Sequence, residues 1–163
     1  MKNMLSKKEI MSYLKEISKR LKKRGLQGEI LLFGGAVMTV VFNARKSTHD
    51  VDAIFAPSAP IREISAEIAD ENSLAKTWLN DAVKGFVSEK GEYSLFFEDS
   101  GLKIYAAEPE YILAMKCISY RIGETQDEND IIFLIKKLKL TSKGKVFDII
   151  EKYYPKNRIP PKK

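Results

Sequence analysis

The chain has 163 residues, 44% of them hydrophobic, a formal net charge of +6 and a single cysteine. That length suits one domain, or one domain with a small helical appendage, and the apolar content can fill a core without a disulfide or a structural metal. One thiol excludes an internal disulfide, and the lack of any run of about 18 apolar residues excludes a helical membrane span, so a cytoplasmic setting is expected.

The first segment, Met1 to Lys8, is basic but is not followed by the apolar stretch of a signal peptide. Ile10, Leu14, Ile17 and Leu21 then form one helical stripe between Leu5 and Arg24, with Gly25 placed to close the helix. Glu29 to Phe33 is a short apolar run stopped by Gly34 and Gly35, the pattern of a buried strand. Ala36 to Phe42 reads as a short buried helix, although its β-branched residues leave a strand open. A polar loop from Asn43 to His49 leads into a second expected strand, Asp50 to Phe55, and then into a helix from about Pro60 to Asp70.

Trp78 to Val87 carries no clear period. Tyr93–Glu98 and Leu102–Ala107, joined through Asp99-Ser100-Gly101, read as a β-hairpin. Three helices follow, from Pro109 to about Ile122, from about Asp127 to Leu138 and from about Thr141 to Tyr154, before a tail with Pro155, Pro160 and Pro161. The expected fold class is α+β (mixed α/β): a small sheet flanked by helices, with a helical C-terminal third. Within a single domain, residues 1–107 form the α/β core, 108–155 the C-terminal helices and 156–163 a basic tail.

The charge is uneven. Residues 2–24 hold nine Lys/Arg against two Glu, and residues 136–163 hold ten against one Asp and one Glu. Such flanks can attract RNA or nucleotide phosphates, and they can equally be solvated helix faces. Cys117 lies in an apolar run and reads as a buried, inert thiol.

Asp50 and Asp52 carry the sharpest chemical signal. Residues i and i+2 of a strand share a face, so two carboxylates would stand side by side, an arrangement that needs a positive partner. A purely oxygen donor set points to Mg²⁺ or Mn²⁺ rather than zinc. The pair can also be read as two solvated residues at a strand start. Gly34-Gly35, at the end of the preceding strand, leaves backbone N–H groups bare for phosphate oxygens, or is simply a tight turn. Arg45 and Thr48, in the loop before Asp50, can hold a phosphate or a base, or be ordinary loop residues. His49, the only histidine, is a hydrogen-bonding neighbour of Asp50 rather than a catalytic candidate.

The glycine pair, the spacer and Asp50-Val51-Asp52 together resemble the signature of the nucleotidyltransferase (polymerase-β-like) superfamily. Tyr111 to Arg121, with Lys116, and then Asp127 to Ile131, with Asp130, are similar to its bacterial branch of abortive-infection type IV toxins. The resemblance spans roughly residues 28–138. It implies transfer of a nucleotidyl group from an NTP to an acceptor with Mg²⁺ or Mn²⁺ held by Asp50 and Asp52, Gly34 and Gly35 near the phosphates, and Arg45, Thr48 and Arg121 as further nucleotide contacts. Lys116 would neutralise the triphosphate, and Asp127 or Asp130 would be the polar or basic group of the helical lobe. An RNA acceptor (tRNA included), a protein acceptor, a toxin-like role and a cognate protein partner all fall within it.

Each of these residues also has a plainer reading. Lys116 can be a snorkelling helix residue, and Asp127 with Asp130 a helix N-cap and its first-turn acid. The pattern also departs from the superfamily, which often sets a third carboxylate on a later strand to deprotonate the acceptor. Leu102 to Ala107 contains no acid, which leaves Glu98 and Asp81 as substitutes. The alternative to an enzyme is a non-catalytic module of the same fold that binds RNA or a protein partner.

Overall fold

The computed structural model describes residues 4–120 and 125–155. In chain order they form β1 (Leu5–Ser6), α1 (Lys7–Lys23), β2 (Gly28–Leu32), α2 (Gly34–Val40), β3 (Ser47–Thr48), β4 (Val51–Ala56) and α3 (Ser58–Asn72). These are followed by β5 (Leu79–Asn80), a 3₁₀ turn (Ala82–Phe86), β6 (Tyr93–Glu98), β7 (Leu102–Ala107), α4 (Pro109–Ser119), α5 (Thr125–Lys137) and α6 (Lys143–Tyr153). The α+β class expected from the sequence is the one observed. By contact the chain divides into two compact units, residues 1–84 with 93–106 and residues 85–92 with 107–163. Among the described residues, no helix is long and apolar enough to cross a membrane.

The first unit is built on a five-stranded sheet of order β5-β4-β2-β7-β6. β2 runs antiparallel to β4 and parallel to β7, and β4 runs parallel to β5. Registers of Leu31 with Ile54 and with Tyr105, and of Asp52 with Asn80, fix which side chains share a face. Val51, Ala53, Ile30, Leu32, Leu102, Ile104 and Leu79 fill one face and are buried, whereas Asp52, Ile54, Leu31, Tyr105 and Asn80 stand half-exposed on the other. Burial of one face only is the alternation that a half-covered sheet imposes. The stripe Ile10, Leu14, Ile17 and Leu21 of α1 and the stripe Ile61, Ile64 and Ile68 of α3 are likewise buried.

Helix α1 starts at a complete capping box, in which Ser6 Oγ accepts from the Glu9 N–H and Glu9 accepts from the Ser6 N–H. It ends at Gly25, whose φ of +71° is the left-handed conformation that glycine tolerates. Along α1, Arg20 is bound by Glu71 and Glu16, and Arg24 by Glu63, so part of the basic flank is met by acids of α3.

The second unit has its own core of Tyr111, Leu113, Leu134, Ile150 and Tyr153. Tyr111 and Tyr153 stack with ring centres 5.0 Å apart, and the Tyr111 hydroxyl accepts from the Ser88 N–H at 2.8 Å. Cys117 is half-buried, and burial pushes its thiol up to about 11, in keeping with an unreactive group.

Several boundaries shift from those expected. Leu5 and Ser6 leave the first helix to become β1, which pairs with β3 inside the segment read as a polar loop. Asp50 lies just before β4 rather than in it, and the unassigned Trp78 region supplies edge strand β5. Asp127 does not cap α5, because the helix begins at Thr125 and puts Asp127 inside the first turn.

Candidate nucleotide site

Two structural facts bring the loop and the glycine pair together. Pairing of Leu5 with Thr48 anchors the loop before Asp50, so that Thr48 is only 4% exposed. At the other side, the Phe33 N–H donates to the Asp52 carbonyl at 3.0 Å, so the end of β2 and the start of β4 are fastened just where the chain turns into Gly34.

Gly34 adopts φ +54°, a left-handed conformation that a side chain makes costly. A β-carbon there would sit 3.2 Å from Asp52 Oδ2. On Gly35 it would sit 2.5 Å from Thr48 Oγ1 and 2.8 Å from Arg45 Nη1. The structure therefore gathers Gly34, Gly35, Arg45, Thr48 and Asp52 at one end of the sheet, with the side chains of Asp52, Thr48 and Arg45 close against the glycine backbone. Arg45, Asp50 and Asp52 are half-buried there, and His49 is exposed.

Asp50 is held from the other side. Its Oδ2 accepts from Asn80 Nδ2 at 3.3 Å, and Asn80 is the register partner of Asp52 on β5. Asn80 was missed in the sequence, because a two-residue edge strand has no period to reveal it. Its strand is set by Trp78, whose carbonyl accepts from the Val51 N–H and whose indole N–H donates to the Ser65 carbonyl at 2.9 Å.

The second unit brings together the other group of candidates. Lys116 Nζ lies 2.9 Å from Asp130 Oδ2 and 3.2 Å from Asp127 Oδ1. Lys116 is 8% and Asp130 2% exposed, so this is a buried ion cluster that joins α4 to α5 and not a snorkelling lysine beside a capping box. Arg121 lies outside the described residues.

Neither substitute for the third carboxylate is placed or free to act as one. Glu98 sits at the turn end of the hairpin with Lys103, level with Gly28 and Leu102, whereas Asp52 meets the Leu32–Phe33 end of β2. Four residues of strand separate the two levels, roughly 13 Å. Glu98 instead borders a separate hollow of about 630 Å³ with Glu29, Pro57 and Asp99. Asp81 Oδ2 is gripped by Lys84 and Arg62, and the Lys84 hydrogen bond, ahead of that from Arg62, holds its carboxyl below the usual range. On the Asp52 face, β7 offers Lys103 and Tyr105 and no acid.

Residues 8–155 match a family described as nucleotidyltransferase of unknown function (DUF6036). The chain belongs to that family. No curated protein and no solved structure matches it. Membership covers the glycine pair, the Asp50/Asp52 pair and the Lys116 cluster in one span, and it agrees with the superfamily to which the sequence motifs pointed.

The donors at the first site suit a hard cation only in part. Among the described residues no group of three or more His, Cys, Asp or Glu side chains could hold a metal alone. Magnesium is usually bound by one or two carboxylates together with substrate phosphates, so the Asp52 carboxylate beside Gly34 and Arg45 fits an ion that arrives with a nucleotide. Asp52 Oδ2, against the space that a Gly34 side chain would fill, is the observation behind that fit.

Proposed function

We propose that the protein transfers a nucleotidyl group from an NTP to a hydroxyl acceptor, using Asp50 and Asp52 to hold Mg²⁺ or Mn²⁺. The observation that carries this reading is the convergence of Asp52, Gly34 and Gly35 with Arg45 and Thr48. Gly34 and Gly35 would let phosphate oxygens approach the backbone. Arg45 would pair with the phosphates through its fork of N–H donors, and the Thr48 hydroxyl would add one hydrogen bond. The cation, when bound, would neutralise phosphate charge and polarise the phosphoryl group under attack. Orientation by these side chains would supply most of the rate, since such transfer depends chiefly on positioning and electrostatics.

For Lys116, Asp127 and Asp130 the mutual pairing supports a clamp within the second unit, because the ammonium already has two carboxylates as counter-ions. RNA is the favoured acceptor class. Lysines of α1 such as Lys8, Lys19, Lys22 and Lys23 are exposed, while Arg20 and Arg24 are matched by acids. A tRNA-directed, toxin-like role with a cognate partner protein is the narrower form of this proposal.

One observation favours a second reading: the strand expected to carry a third carboxylate has none. A non-catalytic module that binds nucleotide or RNA would keep the Asp pair and lack that base. Incubation with each α-labelled NTP, total tRNA and Mg²⁺ separates the two. Label in RNA or protein that disappears in Asp52→Asn supports the transferase. Metal-independent RNA binding without any label transfer supports the module.

A further inference from the structure

The amide of Asn80 is oriented by its own turn. Its Oδ1 accepts from the Ala82 N–H at 3.1 Å, and its Nδ2 donates to the Thr77 carbonyl at 3.0 Å. Both neighbours are backbone groups of one short segment, so they decide which end of the amide is oxygen and which is nitrogen. The second hydrogen on Nδ2 is then directed at Asp50 Oδ2, 3.3 Å away. The register partnership with Asp52 puts Asn80 on the half-exposed face of the sheet, beside the second carboxylate. Asp50 itself precedes β4 and lacks the ladder that fixes Asp52, so its side chain needs a separate tether.

We infer that Asn80 is a positioning residue for the cation site: it ties one oxygen of Asp50 and thereby aims the carboxylate, together with that of Asp52, at a shared divalent ion. This rests on the nucleotidyltransferase reading above. Asn80 does not touch the ion or the nucleotide. Partners that orient metal-binding carboxylates in this way are worth about ten- to a hundredfold in metal affinity. A serine at this position would still offer an oxygen to the Ala82 N–H, as Ser does in comparable turns, but could not reach Asp50.

The test is Mn²⁺ binding followed by electron paramagnetic resonance on the full chain, alone and with the NTP that binds tightest. Asn80→Ala and Asn80→Ser are each measured, with thermal melting as the check on folding. Both variants should bind Mn²⁺ about tenfold more weakly while remaining folded. In an Asp50→Asn background, where the tether has lost its charged partner, Asn80→Ala should change affinity less than about twofold. Wild-type affinity in Asn80→Ser, or an equal loss with and without the Asp50 carboxylate, overturns the inference. A failure of the nucleotidyltransferase reading looks different: the wild-type chain itself would bind no Mn²⁺ with any NTP, or Asp50→Ala/Asp52→Ala would bind it unchanged.

Discussion

Asp52 Oδ2 lies against Gly34, 3.2 Å from the point where a β-carbon would stand, and Gly34 itself is left-handed at φ +54°. A side chain at this position is therefore disfavoured twice, by the backbone and by the carboxylate. Gly34→Ala should cost about 1–2 kcal/mol of stability from the left-handed backbone and weaken metal-dependent nucleotide binding by displacing Asp52. Gly35→Ala should act differently. Its backbone is unstrained, so the loss should fall on binding, through displaced Thr48 and Arg45, more than on the unfolding midpoint. Urea denaturation and fluorescent-NTP binding on the two variants check the contrast.

Lys116 makes a separate prediction about stability. With Asp130 2% exposed, Lys116→Met leaves a carboxylate buried without its cation, a loss of about 3–5 kcal/mol. Removing both charges, as in Lys116→Met/Asp130→Leu, should recover much of that loss, because a buried pair is replaceable by apolar side chains of similar volume. Denaturation midpoints of the single and double variants measure the recovery. A double variant no more stable than the single would mean that the two charges are not coupled.

The acid side of the stability profile should report on Asp99. Burial opposes its ionisation, but hydrogen bonds from Ser18, Gly101 and Leu102 outweigh that and hold the carboxyl below its ordinary 3.8. A depressed carboxylate contributes stability above its unfolded value and loses it as pH falls through the folded one. Wild-type protein should therefore lose stability as pH drops below about 4, and Asp99→Asn should flatten that part of the curve. Thermal melting between acid and neutral pH gives the comparison.

The fold class, most helices and the turn at Gly34-Gly35 were legible because each leaves a local mark, a period or a glycine stop, whereas the i, i+2 spacing placed Asp50 in a strand that begins only at Val51. What escaped depends on contacts distant in sequence. β1 and β3 are two residues each and define each other only by pairing Leu5 with Thr48. Asn80 gains its place from β4 and from Trp78, not from its neighbours in the chain. Lys116 reads in sequence either as a charge for the triphosphate or as a snorkelling lysine, and its ion pairs with Asp127 and Asp130 come only from the packing of the next helix. Glu98 was only an available substitute in the sequence, which shows no sheet direction, and the parallel pairing of β2 with β7 carries it to the other end.

The most direct measurement is calorimetric binding of each NTP to the full chain, with Mg²⁺ and with chelator, in wild type and in Asp50→Ala/Asp52→Ala. The proposed cation site predicts binding of at least one NTP that needs Mg²⁺ and is lost in the double variant, with folding retained. NTP binding that survives both chelator and the double substitution would contradict it.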